Sequence, residues 1–297
     1  MNTKEFINMS ICENRTIIIT GAGGGLGKAY AEALVAEGAN VVINDIRLDA
    51  AQALADTLGD KALANDGDIT TMDGARSIVD AALEKFGEVH GVINNAGVLR
   101  DRMFLKLTEE DWDMVMHVHL RGHFCLANVL ANRWRDQSKA GEAVDARIIN
   151  TSSGAGLQGS VGQSNYAAAK GGVATLTLVQ SAELRRYGIT ANALAPAART
   201  GMTEEVFADM MKKPDGEEFD FFDPANVAPI VVWLCSPLSK DVTGRVFESM
   251  GGQLSVADGW RTGKVKDKEG RWEPAELTDV VKQLIEESPE QQKVYGT

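Results

Sequence analysis

The sequence predicts an α/β fold, a doubly wound parallel sheet in three layers forming a single domain. Two observations point to it. Continuously apolar, β-branched runs alternate with helix-patterned stretches along most of the chain, and strands of that kind belong to parallel sheets covered on both faces. A glycine-rich turn follows the first such run directly, where sheets of this kind build their sites.

The elements follow in order. Thr16–Thr20 (TIIIT) reads as the first strand, and 26–37 as an alanine-rich helix. Residues 41–43 make a second strand and Leu48–Leu58 a second helix. A helix is expected over 70–86, opened by the capping spacing of Thr70 and Asp73. Gly91–Asn94 (GVIN) is a clear strand, and a long helix over 108–135 repeats the capping spacing with Thr108 and Asp111. Strands at 147–151, 189–194 and Val246–Met250, with a helix at 164–187, complete the alternation. Two stretches break the rhythm: an acidic, Met- and Phe-rich run at 203–223, and a charged segment after Gly259 that precedes a short helix near 278–287.

Composition narrows the function classes. The 297 residues are 44% hydrophobic and 24% charged, with 30 Gly and 7 Pro, which fits a globular chain and neither a disordered nor a fibrous one. Thirty Lys and Arg against 42 Asp and Glu leave a net charge of −12, which argues against general nucleic-acid or anionic-membrane binding. The three cysteines, Cys12, Cys125 and Cys235, are far apart and suggest no disulfide framework. No run approaches the roughly 18 apolar residues of a spanning helix, and the N-terminal residues lack the apolar core of a secretion signal. A cytoplasmic location is the expectation. No internal repeat is present.

The turn TGAGGGLG, Thr20 to Gly27, has the spacing of Thr20, Gly21, Gly25 and Gly27 around Leu26. Glycines here let a backbone approach a dinucleotide pyrophosphate, which then rests on the N–H groups that open the next helix. A glycine turn after a strand is often only a turn, but the strand-loop-helix context favours nucleotide binding, and no GK[ST] follows to suggest a P-loop. Asp45 ends the second strand, 24 residues after Gly21. A carboxylate there accepts hydrogen bonds from ribose hydroxyls and repels a 2′-phosphate, which favours NAD. Arg47 is the opposing signal, because an Arg can pair with that phosphate.

Tyr166-Ala-Ala-Ala-Lys170 sets a phenol and an ammonium four apart on one helix face. Ser153, 13 residues upstream, follows a strand at the carboxyl edge of the sheet, and Asn94-Asn95-Ala96-Gly97 ends another strand at that edge. A tyrosine of ordinary pKa is only roughly 0.1% ionised at pH 7. Lowering it by about 2.5 units needs roughly 3.4 kcal/mol of preference for phenolate. One ammonium about 4 Å away at an effective dielectric near 20 supplies about 4 kcal/mol. Lys170 is sufficient in magnitude if its geometry is right.

The glycine turn, NNAG and Ser153…Tyr166…Lys170, in this order and spacing, resemble the short-chain dehydrogenase/reductase family over about residues 14–259. The resemblance implies a Rossmann-type doubly wound parallel sheet, a nicotinamide cofactor, and reversible alcohol–ketone hydride transfer. It implies Tyr166 as general acid-base, Lys170 as its modulator and ribose ligand, and Ser153 as hydrogen-bond partner of the substrate oxygen. Gly21, Gly25, Leu26, Gly27, Asp45, Asp68, Ile69, Asn95, Ala96, Gly97, Pro196 and Thr200 join Tyr166 and Lys170 as expected cofactor-binding residues.

The chain departs from the family's pattern in two places. His119 of His117-Val118-His119-Leu120-Arg121-Gly122-His123 stands where an Asn of a proton relay is usual. It either takes over the water-holding part of that relay, or the relay is shortened, or His119 fills an interior polar position. His119 and His123 share a helix face, the spacing of metal ligands, but no third ligand is evident and no metal is expected. Ala195-Pro196-Ala197-Ala198 replaces the usual Pro-Gly of the loop that receives the nicotinamide carboxamide.

NNAGVLRDRMF, HVHLRGHF and VAPIVVWLC…VFES are most similar to the (3R)-hydroxyacyl-CoA dehydrogenase part of peroxisomal multifunctional enzymes, also described as type 4 17β-hydroxysteroid dehydrogenase. In that group a His at the position of His119 is itself usual. The resemblance implies a 3-hydroxyacyl-CoA substrate, or alternatively a hydroxysteroid or a CoA-activated steroid side chain, with hydratase activity not implied. A third reading is an NAD(H) sensor without turnover. Met210, Met211, Phe219, Phe221 and Phe222 of a lid over 202–223 offer apolar surface for a lipid-like substrate, or else pack the lid onto its own domain or a partner subunit. Arg100, Arg102 and Lys106 either meet CoA phosphates or form a solvated charged turn. Pairing through the helices at 108–135 and 164–187, as a homodimer or homotetramer, is implied by the resemblance.

Overall fold

The β-branched run Thr16–Thr20 forms β1, the strand about which the sheet is wound. In the computed structural model, which describes residues 10–201, 211, 213–214 and 218–297, eight strands form one sheet in the order β3-β2-β1-β4-β5-β6-β7-β8. The others are β2 (Asn40–Asn44), β3 (Ala62–Asn65), β4 (Gly91–Asn94), β5 (Ala146–Thr151), β6 (Ile189–Ala197), β7 (Val246–Met250) and β8 (Gln253–Val256). All pair in parallel except β8, which turns back antiparallel on β7.

Helices cover both faces. Against one lie α1 (Gly25–Ala36), α2 (Leu48–Leu58) and α8 (Ala228–Cys235), contributing Tyr30, Leu34, Leu54 and Val231 to a core with Ile17, Ile19 and Ile43. Against the other lie α3 (Met72–Phe86), α4 (Glu109–Met116) with α5 (Gly122–Lys139), and α7 (Ser164–Leu184). Ile78, Leu126, Leu130 and Trp134 pack there on Ile18, Val92 and Ile148. Alternate residues of one strand thus enter opposite cores, which is why β1 carries no polar face. A short helix α6 (Gly154–Gln158) follows β5, and α9 (Leu277–Glu286) lies near the C-terminus. Among the described residues no helix is long and apolar enough to cross a membrane.

Strand β1 has β2 on one side and β4 on the other, so the connections leave it in opposite directions and open a crevice at its carboxyl end. The glycine turn after β1, NNAG after β4 and Ser153 after β5 all stand at that edge.

Several expectations need correction. Helix α3 is capped by Thr71, whose hydroxyl accepts from the Gly74 amide at 3.0 Å, not by Thr70. Asp68 takes Thr70 instead, accepting its amide and its hydroxyl at 2.8 and 2.7 Å, a local turn that competes with capping. The long helix is interrupted by a π-helical turn, His117–Arg121, between α4 and α5. Strands β3 and β8 were not expected: β3 (ALAN) has no β-branched residue, and β8 is exposed along its length. Strand β6 continues through Pro196, which a strand tolerates near its end.

Candidate active site

Helix α1 begins after Gly24 with neither a side-chain cap nor an acidic residue in its first turn, which leaves its opening N–H groups and dipole available to an anion. The glycines suit that role in different ways. A Cβ on Gly21 would lie 2.7 Å from Ala96 Cα, and one on Gly27 would lie 2.5 Å from the Gly21 carbonyl oxygen, so the turn sits tightly on NNAG. At Gly24 a Cβ would meet only Arg47 Nη2 at 4.0 Å, so this side of the turn is open. Bare backbone on the open side and close packing on the other fit a dinucleotide pyrophosphate.

NNAG braces the turn. The Thr20 hydroxyl accepts the amides of Asn95 and Ala96 at 2.9 and 3.0 Å, and Asn95 Nδ2 donates to the carbonyls of Thr20 and Gly21 at 3.0 and 3.2 Å. Asn95 therefore spans β1 and β4. Asp45 is buried, and its carboxylate accepts the Gly23 and Arg47 amides, each at 3.0 Å. Thr200 reaches the same turn, 3.3 Å from a Cβ placed on Gly25. Leu26 packs at the margin of the core, Pro196 is half-buried at the end of β6, and Asp68 is exposed. Ile69 is buried against Gly122, where a Cβ would lie 2.8 Å from Ile69 Cδ1, so its side chain is committed to the interior.

Ser153 lies two residues past the end of β5 and caps α6, accepting the Ala155 amide at 3.2 Å. Tyr166 and Lys170 lie one turn apart on α7, with Lys170 Nζ 5.6 Å from the centre of the phenol ring. Lys170 is buried, and its ammonium donates to the Thr151 carbonyl at 2.6 Å. His119 is also buried, with its ring edge-on to Tyr166 at 5.2 Å between centres. Its Nε2 stands 3.0 Å from the Val98 amide nitrogen and 2.8 Å from the Val98 carbonyl oxygen. The π-turn places His119 in this position, and such turns recur at functional sites.

Protonation departs from the simple expectation. Burial raises the Tyr166 phenol above its ordinary value, and a hydrogen bond with Ser153 partly opposes it. The lysine ammonium, held by Thr151, is not the leading influence on the phenol. Burial pushes Lys170 itself down to about 7 and His119 down to about 3, where the nearby Lys170 charge adds to the effect. His119 is a neutral imidazole at ordinary pH.

The four expected catalytic residues are therefore brought together: Ser153 meets Tyr166, while Tyr166 touches both Lys170 and His119. Sequence reasoning missed Thr20, Val98 and Thr151. Thr20 was visible as the first residue of the glycine turn, whereas Val98 and Thr151 act through backbone groups and leave no side-chain signal. It also missed how deep His123 lies, with only 1% of the residue exposed.

Outside this cluster, Arg102 is taken by Asp111 at 2.5 Å and Arg100 Nη1 donates to the Leu99 carbonyl at 2.8 Å. Of the expected lid, 202–210, 212 and 215–217 lie outside the described residues, Met210 among them. Met211 is buried, and Phe221 packs so closely on Gly251 that a Cβ there would lie 2.4 Å from its ring. Phe219 is 65% exposed. Packing onto the domain thus accounts for Met211 and Phe221.

A family profile for short chain dehydrogenases matches residues 15–211. The chain is 41% identical over 284 residues to hydroxyacyl-CoA dehydrogenase ChsB1 of Mycobacterium tuberculosis, covering 91% of this chain and 88% of that protein. It is 36% identical over 273 residues to peroxisomal multifunctional enzyme type 2 of Mus musculus, covering 88% of this chain and 33% of that longer protein. A crystal structure of a short chain dehydrogenase from Mycobacterium avium superposes with a TM-score of 0.88 at 49% identity, covering 97% of this chain and 100% of that one. The 3-ketoacyl-(acyl-carrier-protein) reductase from Brucella melitensis complexed with NADH superposes with a TM-score of 0.73 at 30% identity, covering 81% and 98%. With glycine turn, NNAG and the Ser153–Tyr166–Lys170 group at one sheet edge, the chain belongs to the short-chain dehydrogenase family.

Proposed function

We propose that the protein is an NAD-dependent dehydrogenase that interconverts a 3-hydroxyacyl-CoA and the corresponding 3-ketoacyl-CoA. The observation that carries the reading is the convergence of Ser153, Tyr166, Lys170 and His119 beside a glycine turn shaped for a dinucleotide. The acyl-CoA substrate is supported by the names of the relatives ChsB1 and the multifunctional enzyme. A bound nicotinamide dinucleotide would supply the hydride donor or acceptor.

The chain's own residues handle the proton and the oxygen. In the reducing direction Tyr166 gives its phenolic proton to the carbonyl oxygen, and the Ser153 hydroxyl donates to that oxygen as negative charge develops. Burial keeps Tyr166 protonated at neutral pH, which suits a donor. Lys170, with a pKa of about 7, is matched to neutral pH as the group that restores that proton. Neutral His119, fixed on Val98, packs edge-to-face with the phenol ring and orients it. Gly24 and the opening of α1 would hold the pyrophosphate, and Asp45 would accept the ribose hydroxyls.

Tyr166→Phe is the direct test. It is expected to lower kcat by about 10²- to 10⁴-fold while NADH still binds and the variant stays folded; near-normal turnover would refute the mechanism. Comparing specificity constants for 3-ketoacyl-CoA and free ketosteroids tests the substrate, and a preference for the steroid overturns the acyl-CoA assignment. NADH binding without turnover of either class would mark a sensor.

Assembly as a homodimer or homotetramer is part of the same proposal. Trp112, Met114, Phe124, Leu178 and Val179 stand exposed on α4, α5 and α7, the helices through which relatives are expected to pair, and apolar surface of this kind favours a partner. Light scattering that gives a monomer mass would overturn it.

A further inference from the structure

The chain's last residues return to the catalytic edge. From Asp258 to Lys293 the tail is almost wholly exposed, and its side-chain hydrogen bonds stay within the tail, as between Lys266 and Glu287 or Lys268 and Glu276. Its tip behaves differently. The Tyr295 amide donates to the Gly159 carbonyl at 3.2 Å, and the Tyr295 carbonyl accepts the Val161 amide at 2.9 Å, forming a parallel bridge with Ser160.

The seat is shaped for this tip. A Cβ on Gly154 would lie 2.7 Å from the Tyr295 hydroxyl, and one on Gly159 would lie 3.4 Å from Val294 Cγ1. Gly154 directly follows Ser153, and residues 154–163 join Ser153 to the helix that bears Tyr166. Tyr295 therefore lies against the segment linking the two reacting hydroxyls, yet remains 49% exposed.

We propose that Tyr295 is a specificity-determining residue, whose ring forms the outer wall of the substrate entrance and favours extended substrates over compact ones. A compact ketone bound between Ser153 and Tyr166 does not extend to this wall, whereas a long acyl chain leaving the site on the Ser153 side passes along it. The inference rests on the dehydrogenase reading and names the residue that selects substrate length.

The test is the ratio of kcat/KM for a long-chain 3-ketoacyl-CoA to that for acetoacetyl-CoA, in the parent, Tyr295→Ala and Tyr295→Phe. Tyr295→Ala is expected to lower the ratio at least fivefold through KM for the long substrate, with acetoacetyl-CoA turnover within twofold of the parent. Tyr295→Phe, which keeps the ring, is expected to retain the ratio. An unchanged ratio in Tyr295→Ala overturns the proposal, as does an equal loss on both substrates, which would mark a structural role. If the parent turns over ketosteroids and no acyl-CoA, the substrate assignment fails by itself, and the same ratio is read between a ketosteroid and cyclohexanone.

Discussion

A single nitrogen of His119 faces both polar backbone groups of Val98: Nε2 lies 3.0 Å from the amide nitrogen and 2.8 Å from the carbonyl oxygen. The ring accepts from the amide in one tautomer and donates to the carbonyl in the other, so either neutral form is held in the same place. The far side of this contact is Gly97, where a Cβ would lie 2.4 Å from His119 Cε1.

The fit between Gly97 and His119 is expected to be strict. Gly97→Ala should displace the imidazole and lower kcat/KM at least tenfold, about 1.4 kcal/mol. In a His119→Asn background the same change should do much less, because the smaller side chain leaves room. A double-mutant cycle on steady-state kinetics measures the coupling, and equal losses in both backgrounds would show that the two positions act separately.

Lys170 gives a pH-dependent stability with a defined sign. Burial moves its pKa from 10.5 down to about 7, so between those values the unfolded chain carries a proton that the folded chain does not. Stability from this group therefore rises as pH increases from about 7 toward 10.5, and at or below pH 7 the penalty for burying the ammonium stands in full. Lys170→Met removes that dependence. Urea unfolding at about pH 7 and about pH 9.5 is expected to show the variant gaining on the parent at the lower pH by a few kcal/mol. Parallel behaviour of the two proteins would contradict the shift.

Asp45 sets the expected choice of dinucleotide. Its carboxylate is fixed by the Gly23 and Arg47 amides, and Arg47 Nη2 reaches the open side of the glycine turn at Gly24. Asp45→Ala takes away the charge that repels a 2′-phosphate and leaves Arg47 to meet it. The kcat/KM ratio of NADH to NADPH should fall at least tenfold. A parent that already prefers NADPH would refute the NAD assignment.

Asn95 is expected to matter for the turn rather than for the chemistry. Its two side-chain donors meet the carbonyls of Thr20 and Gly21, so Asn95→Ala should cost about 1–3 kcal/mol of stability and weaken NADH binding severalfold. Asn95→Asp should be worse, because it faces a carboxylate with two carbonyl oxygens. Thermal unfolding and NADH fluorescence titration read the two effects; a variant with parental Tm and affinity would show that the brace is dispensable.

Much of the fold was legible because its signals are local. Runs such as TIIIT and GVIN name buried parallel strands, and Thr108 does cap α4, accepting the Asp111 amide at 3.1 Å. Strand β3 escaped because Ala62, Leu63, Ala64 and Asn65, none of them β-branched or aromatic, form a strand only when β2 offers them an edge. The π-turn escaped because HVHLRGHF has ordinary helical periodicity and nothing in its composition marks the extra residue. In the site, side chains whose type carries chemistry could be named in advance, whereas the backbone groups of Val98 and Thr151 that orient them could not.

By itself, then, the sequence determined the alternation of strand and helix, the order of the catalytic motifs and the family to which they belong, since each is written in contiguous residues. Tertiary structure alone decided the balance of charge at Tyr166, because burial and the hold of Thr151 on Lys170 depend on residues brought together from separate elements. It likewise decided that Tyr295, 142 positions after Ser153 in the chain, packs against Gly154, the residue that follows Ser153. A pKa and a pocket wall are sums over neighbours in space, and neighbours distant in sequence are known only once the chain has folded.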